Sequence, residues 1–328
     1  GLGDVYKRQR EDAWLLAHVG QLHKLLEKTL TSDKPALLDA AMPVLERVFR
    51  LLPAAPPEGE ASGEAGDEAA AFCTFAEGRI AEGLRTSTNL YDVCTLLRAW
   101  SAERPAVLDR HLVPLVRTLT RLSKEHLGAA PSQAGGSGEA GAGNAGASEK
   151  PRLLLMVLGL LRRRVSHMGD QRRWFLSAVV QLIEKSPSLE VCRFLLETMR
   201  SWLLETREPF PTMKEKAGIL VKMLGFEQRG NEALMRDFLE LILAVYEDTG
   251  YARSELTARL ENAFLLGCRS SDAALRQRFI DLFDRALTRS FPARLQHLLG
   301  FQSWECLADQ YWLHQVADLL LAAVDTSQ

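Results

Sequence analysis

Residues 189–206 read LEVCRFLLETMRSWLLET, and the apolar side chains of this stretch recur every three or four positions. That spacing places them on one face of an α-helix, with polar side chains opposite. A helix with such a face docks on other helices, so we expect it to be one layer of a larger helical assembly. The face consists of Val191, Phe194, Leu195, Thr198, Met199, Trp202 and Leu203.

The same period continues along nearly all of the 328 residues, and no convincing alternating strand pattern interrupts it. Pro114 is expected to kink or break one helix, because proline removes a backbone donor. We predict helices at residues 11–30, 35–52, 72–84, 91–101, 105–127, 152–166, 171–185, 189–206, 213–227, 232–247, 254–266, 272–288 and 304–324.

The spacing of these helices predicts the fold. Helices joined by short turns form two-helix units of about 40 residues, the period of HEAT and armadillo arrays. We therefore predict an all-α fold, a HEAT/armadillo-like helical-repeat solenoid (an α-α superhelix). No sequence self-similarity accompanies the period, so a closed globular helical domain remains the alternative.

Two stretches interrupt the helical pattern. Residues 53–68 contain prolines, glycines and only acidic charges, so they cannot bury enough apolar surface to offset the cost of ordering. Residues 128–148 are almost wholly Gly, Ala and Ser, which indicates a flexible insert. We divide the chain into helical repeats at 10–127, an insert at 128–150, and helical repeats at 151–328.

Both ends of the chain suggest a fragment. The sequence has no initiating methionine, and residues 4–9 (DVYKRQ) resemble a translated sequencing adaptor, so we expect 1–9 to be non-native. Residues 312–324 have the pattern of an amphipathic helix without a following glycine cap or proline stop. We therefore expect truncation at the C-terminus as well.

Composition excludes several classes of protein. Forty basic and forty-two acidic side chains give a net charge of −2, which excludes wholesale polyanion binding but not a local basic patch. The longest apolar run, 153–161, is shorter than the ~20 residues of a membrane helix. The cysteines are odd in number and lack a C-x-x-C pair, which indicates reduced, core-packed thiols of an intracellular protein. They are Cys73, Cys94, Cys192, Cys268 and Cys306.

Motifs of catalysis, cofactor binding and metal binding are missing from the sequence. A G-x-G-x-x-G match at 141–146 lies within a Gly/Ala repeat without the preceding strand that a dinucleotide site needs, so we interpret it as chance. We find no H-E-x-x-H, G-x-S-x-G, H-R-D or D-F-G signature. The prediction is no catalytic residue, no cofactor, no metal and no small-molecule substrate. The histidines considered as ligands are His18, His23, His111, His126, His167, His297 and His314.

Two clusters are candidates for partner binding. Five arginines could contact nucleic acid or an acidic partner, although cations also offset the dipole at a helix C-terminus and cover apolar surface. An aromatic group could be an interface hot spot or packing between the last two helices. The arginines are Arg162, Arg163, Arg164, Arg172 and Arg173, and the aromatic group is Phe301, Trp304, Tyr311 and Trp312.

Consecutive blocks in the second half resemble the TRRAP family, the pseudokinase branch of the PI3-kinase-related kinases. The resemblance covers roughly 151–324 and is weaker over 10–127, where 110–127 (RHLVPLVRTLTRLSKEHL) is the best part. The sequence departs from the family in its acidic loop and its Gly/Ala insert. The blocks are LIEKSP (182–187), KEKAGILVKML (214–224), FLELILAVYED (238–248), SELTARLENAFLLG (254–267), RFIDLFD (278–284) and WLHQVADLLL (312–321).

The resemblance implies a function that the residues alone do not. It implies a non-catalytic scaffold segment upstream of FAT and kinase-like domains, in a nuclear subunit of histone acetyltransferase complexes of the SAGA and Tip60 type. It implies transcription activators and other subunits as protein partners, with no membrane role. Three alternatives stay open: an unrelated HEAT-type adaptor, the repeat region of an active PI3-kinase-related kinase, and direct nucleic-acid binding.

Overall fold

A computed structural model describes residues 2–31, 35–52, 64–128, 145–207, 209–252 and 254–286, together with Ala317 and Leu321. All regular secondary structure in those ranges is helical, as predicted. The α-helices are α1 Leu2–Ala17, α2 Val19–Thr31, α3 Pro35–Leu51, α4 Glu64–Thr86, α5 Leu90–Glu103, α6 Leu112–Gly128, α7 Ala145–Arg162, α8 Gln171–Lys185, α9 Leu189–Arg200, α10 Met213–Met223, α11 Glu232–Glu247, α12 Glu255–Arg259, α13 Glu261–Cys268 and α14 Ala273–Ala286.

The helices pack in the order of a repeat array. Within the compact unit Gly1–Ala178, each helix contacts the next but one: α1 with α3, α2 with α4, α3 with α5, α4 with α6 and α5 with α7. In the unit Val179–Gln328 the same spacing recurs for α9 with α11, α10 with α12 and α11 with α13, while α14 packs on α13 and α11. This pattern arises when helix pairs stack on equivalent pairs, so the solenoid prediction is confirmed.

The core of the first unit contains an aromatic stack. Phe49 of α3 lies parallel to Trp100 of α5, with ring centroids 4.9 Å apart and planes at 9°. Phe72 of α4 meets Phe49 at 5.6 Å, and both phenylalanines are fully buried. One ring from each of three helices therefore fixes how α3, α4 and α5 pack.

The second unit has an equivalent cluster. Phe264 of α13 lies 4.6 Å from Tyr246 of α11 and 5.2 Å from Phe279 of α14, measured between ring centroids. At Gly267 of α13, an added Cβ would lie 2.4 Å from the Cζ of Phe279, closer than packed atoms approach. The block SELTARLENAFLLG thus ends on a glycine because the Phe279 ring occupies the space of a side chain.

Several helix boundaries differ from the prediction for physical reasons. The helix predicted at 11–30 breaks at His18, where the Gly20 amide donates to the Glu68 carboxylate at 3.2 Å. Pro114 does not break α6 but lies in its first turn, after a 3-10 segment Pro105–His111, because an amide there needs no partner within the helix. The helix predicted at 254–266 divides at Leu260 into α12 and α13.

Other helices begin earlier than predicted. Helix α4 begins at Glu64 instead of residue 72, and α7 begins at Ala145 instead of residue 152. Each therefore includes residues that we assigned to the neighbouring low-complexity stretch. The helix predicted at 304–324 lies outside the described residues apart from Ala317 and Leu321. The division into segments 1–9, 10–127, 128–150 and 151–328 stays a prediction.

Candidate interaction surface

The five clustered arginines lie where α7 ends and α8 begins. Arg162 is the last residue of α7, and Arg172 and Arg173 belong to the first turn of α8. Between them the chain makes a short 3-10 turn, Val165–His167, and a further turn at Gly169, whose φ is +50°. We call residues 162–174 the α7–α8 corner.

Arg164 is committed to a structural ion pair. Its Nε donates to Asp109 Oδ1 at 2.8 Å and its terminal nitrogen donates to Oδ2 at 2.5 Å, a two-bond arrangement. Its side chain is only 13% exposed. Because Asp109 precedes α6, the pair holds the corner against the segment before that helix. Arg164 is therefore a structural residue, through an ion pair that neither interpretation of the cluster had foreseen.

Arg163 and Arg173 remain at the surface. Arg163 is exposed and forms no ion pair or hydrogen bond with the described residues. Arg173 is exposed too, and its guanidinium carbon lies 5.2 Å from the centre of the Trp174 ring. Trp174 itself is 54% exposed, which is unusual for so large an apolar side chain. Arg162 and Arg172 are half-buried and have contacts of their own.

Sequence reasoning missed Trp174 as part of this cluster. The signal was present, because a tryptophan directly follows two arginines and an arginine can stack on an aromatic ring. The aromatic group that the sequence did single out, Phe301, Trp304, Tyr311 and Trp312, lies outside the described residues. Packing and interface remain two open interpretations for that group.

The block LIEKSP forms the end of α8 and the turn to α9. Arg229 donates to the carbonyl of Ile183 at 2.5 Å and to the carbonyl of Ser186, which is itself buried. The last carbonyls of a helix lack intrahelical partners, so this arginine satisfies them from another element. Ser188 then caps α9 by accepting from the Val191 amide at 3.4 Å. Arg229 was not predicted to have a role.

The block KEKAGILVKML begins at a capping box. Thr212 accepts from the Glu215 amide at 3.3 Å, and the Glu215 carboxylate accepts from the Thr212 amide at 2.7 Å. Lys216 follows and is fully buried, with its Nζ donating to the Trp202 carbonyl at 3.1 Å. The capping box therefore fixes the start of α10, and Lys216 ties that helix to the π-helical turn Ser201–Glu205 that follows α9.

The block FLELILAVYED also contains a polar residue, Tyr246, that bonds to another element. The Tyr246 hydroxyl donates to the Thr257 carbonyl at 2.6 Å, and burial raises the pKa of this phenol. The same carbonyl accepts the Leu260 amide at 3.2 Å, so Tyr246 bonds to the chain at the turn between α12 and α13 and ties α11 to it. The family-like blocks of the second unit thus build joints between helices.

Burial sets the protonation of the described thiols and of His111. Burial raises the pKa of Cys94 to about 12 and also raises the pKa of Cys73, Cys192 and Cys268, so these thiols are protonated at neutral pH. Burial lowers the pKa of His111, which favours the neutral ring. Within the described ranges, no three His, Cys, Asp or Glu side chains are grouped to hold a metal ion. Cys306, His297 and His314 lie outside those ranges.

Other predicted features are only partly described. Residues 141–144 of the G-x-G-x-x-G match lie outside the described residues, and Gly146 lies in the first turn of α7. In the described part of the chain, no helix combines the length and hydropathy needed to cross a bilayer.

These observations define a class: an α-helical repeat protein whose polar residues build joints and whose exposed side chains are available for contacts with other molecules. Comparison with known proteins agrees. Residues 4–328 match the family model described as the Tra1 HEAT repeat ring region. The chain belongs to that family, which confirms the resemblance noted in the sequence and argues against an unrelated HEAT-type adaptor.

The sequences of curated relatives align with nearly the whole chain. The fission yeast Schizosaccharomyces pombe "SAGA complex/NuA4 acetyltransferase complex subunit Tra1" is 33% identical over 98% of the chain. The Saccharomyces cerevisiae protein of the same description is 32% identical over 96%, and the human "Transformation/transcription domain-associated protein" is 31% identical over 95%. The chain spans 8% of the length of each of these three proteins.

The matched family is a repeat region and not a kinase domain. Its match begins at residue 4, inside the segment that we attribute to adaptor sequence. That attribution stays a prediction.

Proposed function

We propose that this chain is a non-catalytic scaffold segment of a TRRAP-like subunit of SAGA/Tip60-type histone acetyltransferase coactivator complexes. It acts in the nucleus, where it contacts transcription activators and other subunits through its surfaces. It has no cofactor, metal, small-molecule substrate or membrane partner, and direct nucleic-acid binding is not part of its role. The proposal includes two blocks of repeats, 10–127 and 151–328, separated by an insert at 128–150.

One observation carries the proposal: the polar residues of the family-like blocks are engaged in joints between helices. Lys216 and Tyr246 of these blocks each donate to a backbone carbonyl of another element, and Arg229, which lies between two blocks, donates to the carbonyls of Ile183 and Ser186 in the block LIEKSP. Residues used in this way hold a stack of repeats, which suits a scaffold. The names of the relatives, which are subunits of acetyltransferase complexes, agree with it.

A segment replacement in fission yeast tests the proposal. The part of Tra1 that matches this chain is exchanged for residues 10–328, and the tagged chimera is purified for mass spectrometry of its partners. We expect SAGA and NuA4 subunits and acetyltransferase activity to be recovered with it. A chimera with Arg229→Ala shows the effect of a weakened joint, because it removes the donor to two helix-end carbonyls and leaves the exposed residues of the α7–α8 corner unchanged. A stable, soluble chimera that recovers no complex subunit would refute the scaffold role.

A further inference from the structure

We propose that the α7–α8 corner binds a short acidic peptide that carries an aromatic or large aliphatic side chain. Trp174 packs against that side chain, and Arg163 and Arg173 pair with the carboxylates on either side of it. This inference rests on the proposed function, because it assigns one protein-contacting surface to a segment proposed to act through protein contacts.

Trp174 provides the apolar part of the surface. It is 54% exposed, whereas the next residues of α8, Phe175 and Leu176, are buried. Tryptophan is among the residues that contribute most to binding at protein interfaces, because one side chain buries a large area at low entropic cost. An exposed ring at a helix start, next to a turn, is accessible to an extended peptide.

The arginines provide the charge. The corner contains five arginines and one carboxylate, Asp170. Arg164 already holds Asp109, so that carboxylate does not compete for Arg163 or Arg173. The contact between Arg173 and the Trp174 ring orders both side chains before a partner arrives, which lowers the entropic cost of binding.

The size of the patch favours a peptide over a nucleic acid. Nucleic-acid affinity comes mainly from many phosphate contacts, and the chain as a whole carries a net charge of −2. The exposed guanidinium of Arg173 next to the Trp174 ring, with a second exposed arginine, Arg163, in the same corner, matches a few carboxylates flanking one apolar residue. Charge complementarity of this kind steers the encounter, while the ring supplies the buried contact.

Fluorescence anisotropy with the full 328-residue chain tests the proposal. The probe is a labelled peptide of about 15 residues in which Asp and Glu surround Phe and Leu, the kind of acidic motif that basic surfaces recognise. Trp174→Ala should weaken binding about 30-fold, the effect of removing a hot-spot side chain. Arg163→Glu combined with Arg173→Glu should weaken it about tenfold and reduce its dependence on salt.

Matched variants separate the corner from general effects. Arg98→Glu combined with Arg117→Glu makes the same change in net charge at exposed arginines of α5 and α6 that form no ion pair among the described residues. Trp14→Ala removes an equally exposed tryptophan of α1. Both should bind the peptide as the unchanged chain does. Trp174→Phe, which keeps a ring, should retain most of the affinity, and circular dichroism checks that every variant is folded.

Three results would overturn the inference: unchanged binding by the corner variants, equal weakening by the matched variants, or no binding of the peptide. A single-stranded oligonucleotide of similar length is the competing probe. If it binds as tightly as the peptide and loses affinity with the same corner variants, the surface belongs to nucleic acid. A chimera carrying the corner variants should still assemble with complex subunits, whereas failure of the unchanged chimera counts against the proposed function alone.

Discussion

Arginine has opposite roles at two places in this molecule. In the α8–α9 joint of the second unit, Arg229 is half-buried and donates to two helix-end carbonyls. At the α7–α8 corner of the first unit, Arg163 and Arg173 are exposed, and Arg173 lies against a tryptophan ring. The two places teach that proximity to a helix end does not by itself decide the role of an arginine: Arg229 reaches the free carbonyls at the end of α8, whereas Arg163, directly after α7, makes no such bond with the described residues and stays accessible to partners.

Removal of the joint arginine should have the largest effect. Arg229→Ala leaves the carbonyls of Ile183 and Ser186 without their donor and removes the guanidinium from above the Phe226 ring. Hydrogen bonds involving a charged group contribute about 1.5–3 kcal/mol each, so we expect a loss of about 3 kcal/mol. Urea unfolding followed by circular dichroism measures it. Arg229→Lys should recover part of the loss. A loss of unfolding free energy below about 0.5 kcal/mol for Arg229→Ala would show that Arg229 does not stabilise the joint.

Arg164 should give an intermediate effect. Its pair with Asp109 has two bonds and a mostly buried guanidinium, but the Asp109 side chain is 37% exposed, so solvent weakens the attraction. We expect a coupling energy of about 1 kcal/mol. A double-mutant cycle of Arg164→Ala and Asp109→Ala measures it by urea unfolding, and high salt should lower the value. If the losses of unfolding free energy in the two single variants add up to the loss in the double variant, the ion pair contributes nothing to stability.

Arg163 should give the smallest change in stability. Arg163→Ala removes an exposed side chain with no ion pair or hydrogen bond to the described residues, so unfolding should change by less than about 0.5 kcal/mol. The same variant should still weaken binding of the acidic peptide in the anisotropy assay. A large loss of stability would place Arg163 with Arg229 as a brace and would contradict the distinction between the two regions.

The sequence predicts helices well where local signals decide their ends. The periodic pattern predicts α11 to the residue, and the structure shows the local cap behind it, since Asn231 accepts from the Leu234 amide; the bounds of α8 are predicted equally well. Boundaries set by distant groups are not predictable in this way. The break at His18 involves Glu68, and the break at Leu260 involves Tyr246, contacts that no local pattern reveals.

The candidate surface shows the same limit. Its arginines were visible as a cluster, but which of them is exposed depends on Asp109, more than 50 positions earlier in the chain. Arg229 belongs to no cluster or block noted in the sequence, and only its position beside the end of α8 reveals what it does. Composition therefore locates a patch, while three-dimensional neighbours decide how each member is used.

The contact of each helix with the next but one also affects how such a chain is made. In the described part of the chain, a helix meets the next helix but one after the chain has grown by about two more helices, so much of its packing uses chain that is close in sequence. Synthesis at about 5–20 residues per second then allows each pair to dock while the following pair is still emerging from the ribosome. A very long protein built in this way exposes little unfolded surface at any moment during its own translation.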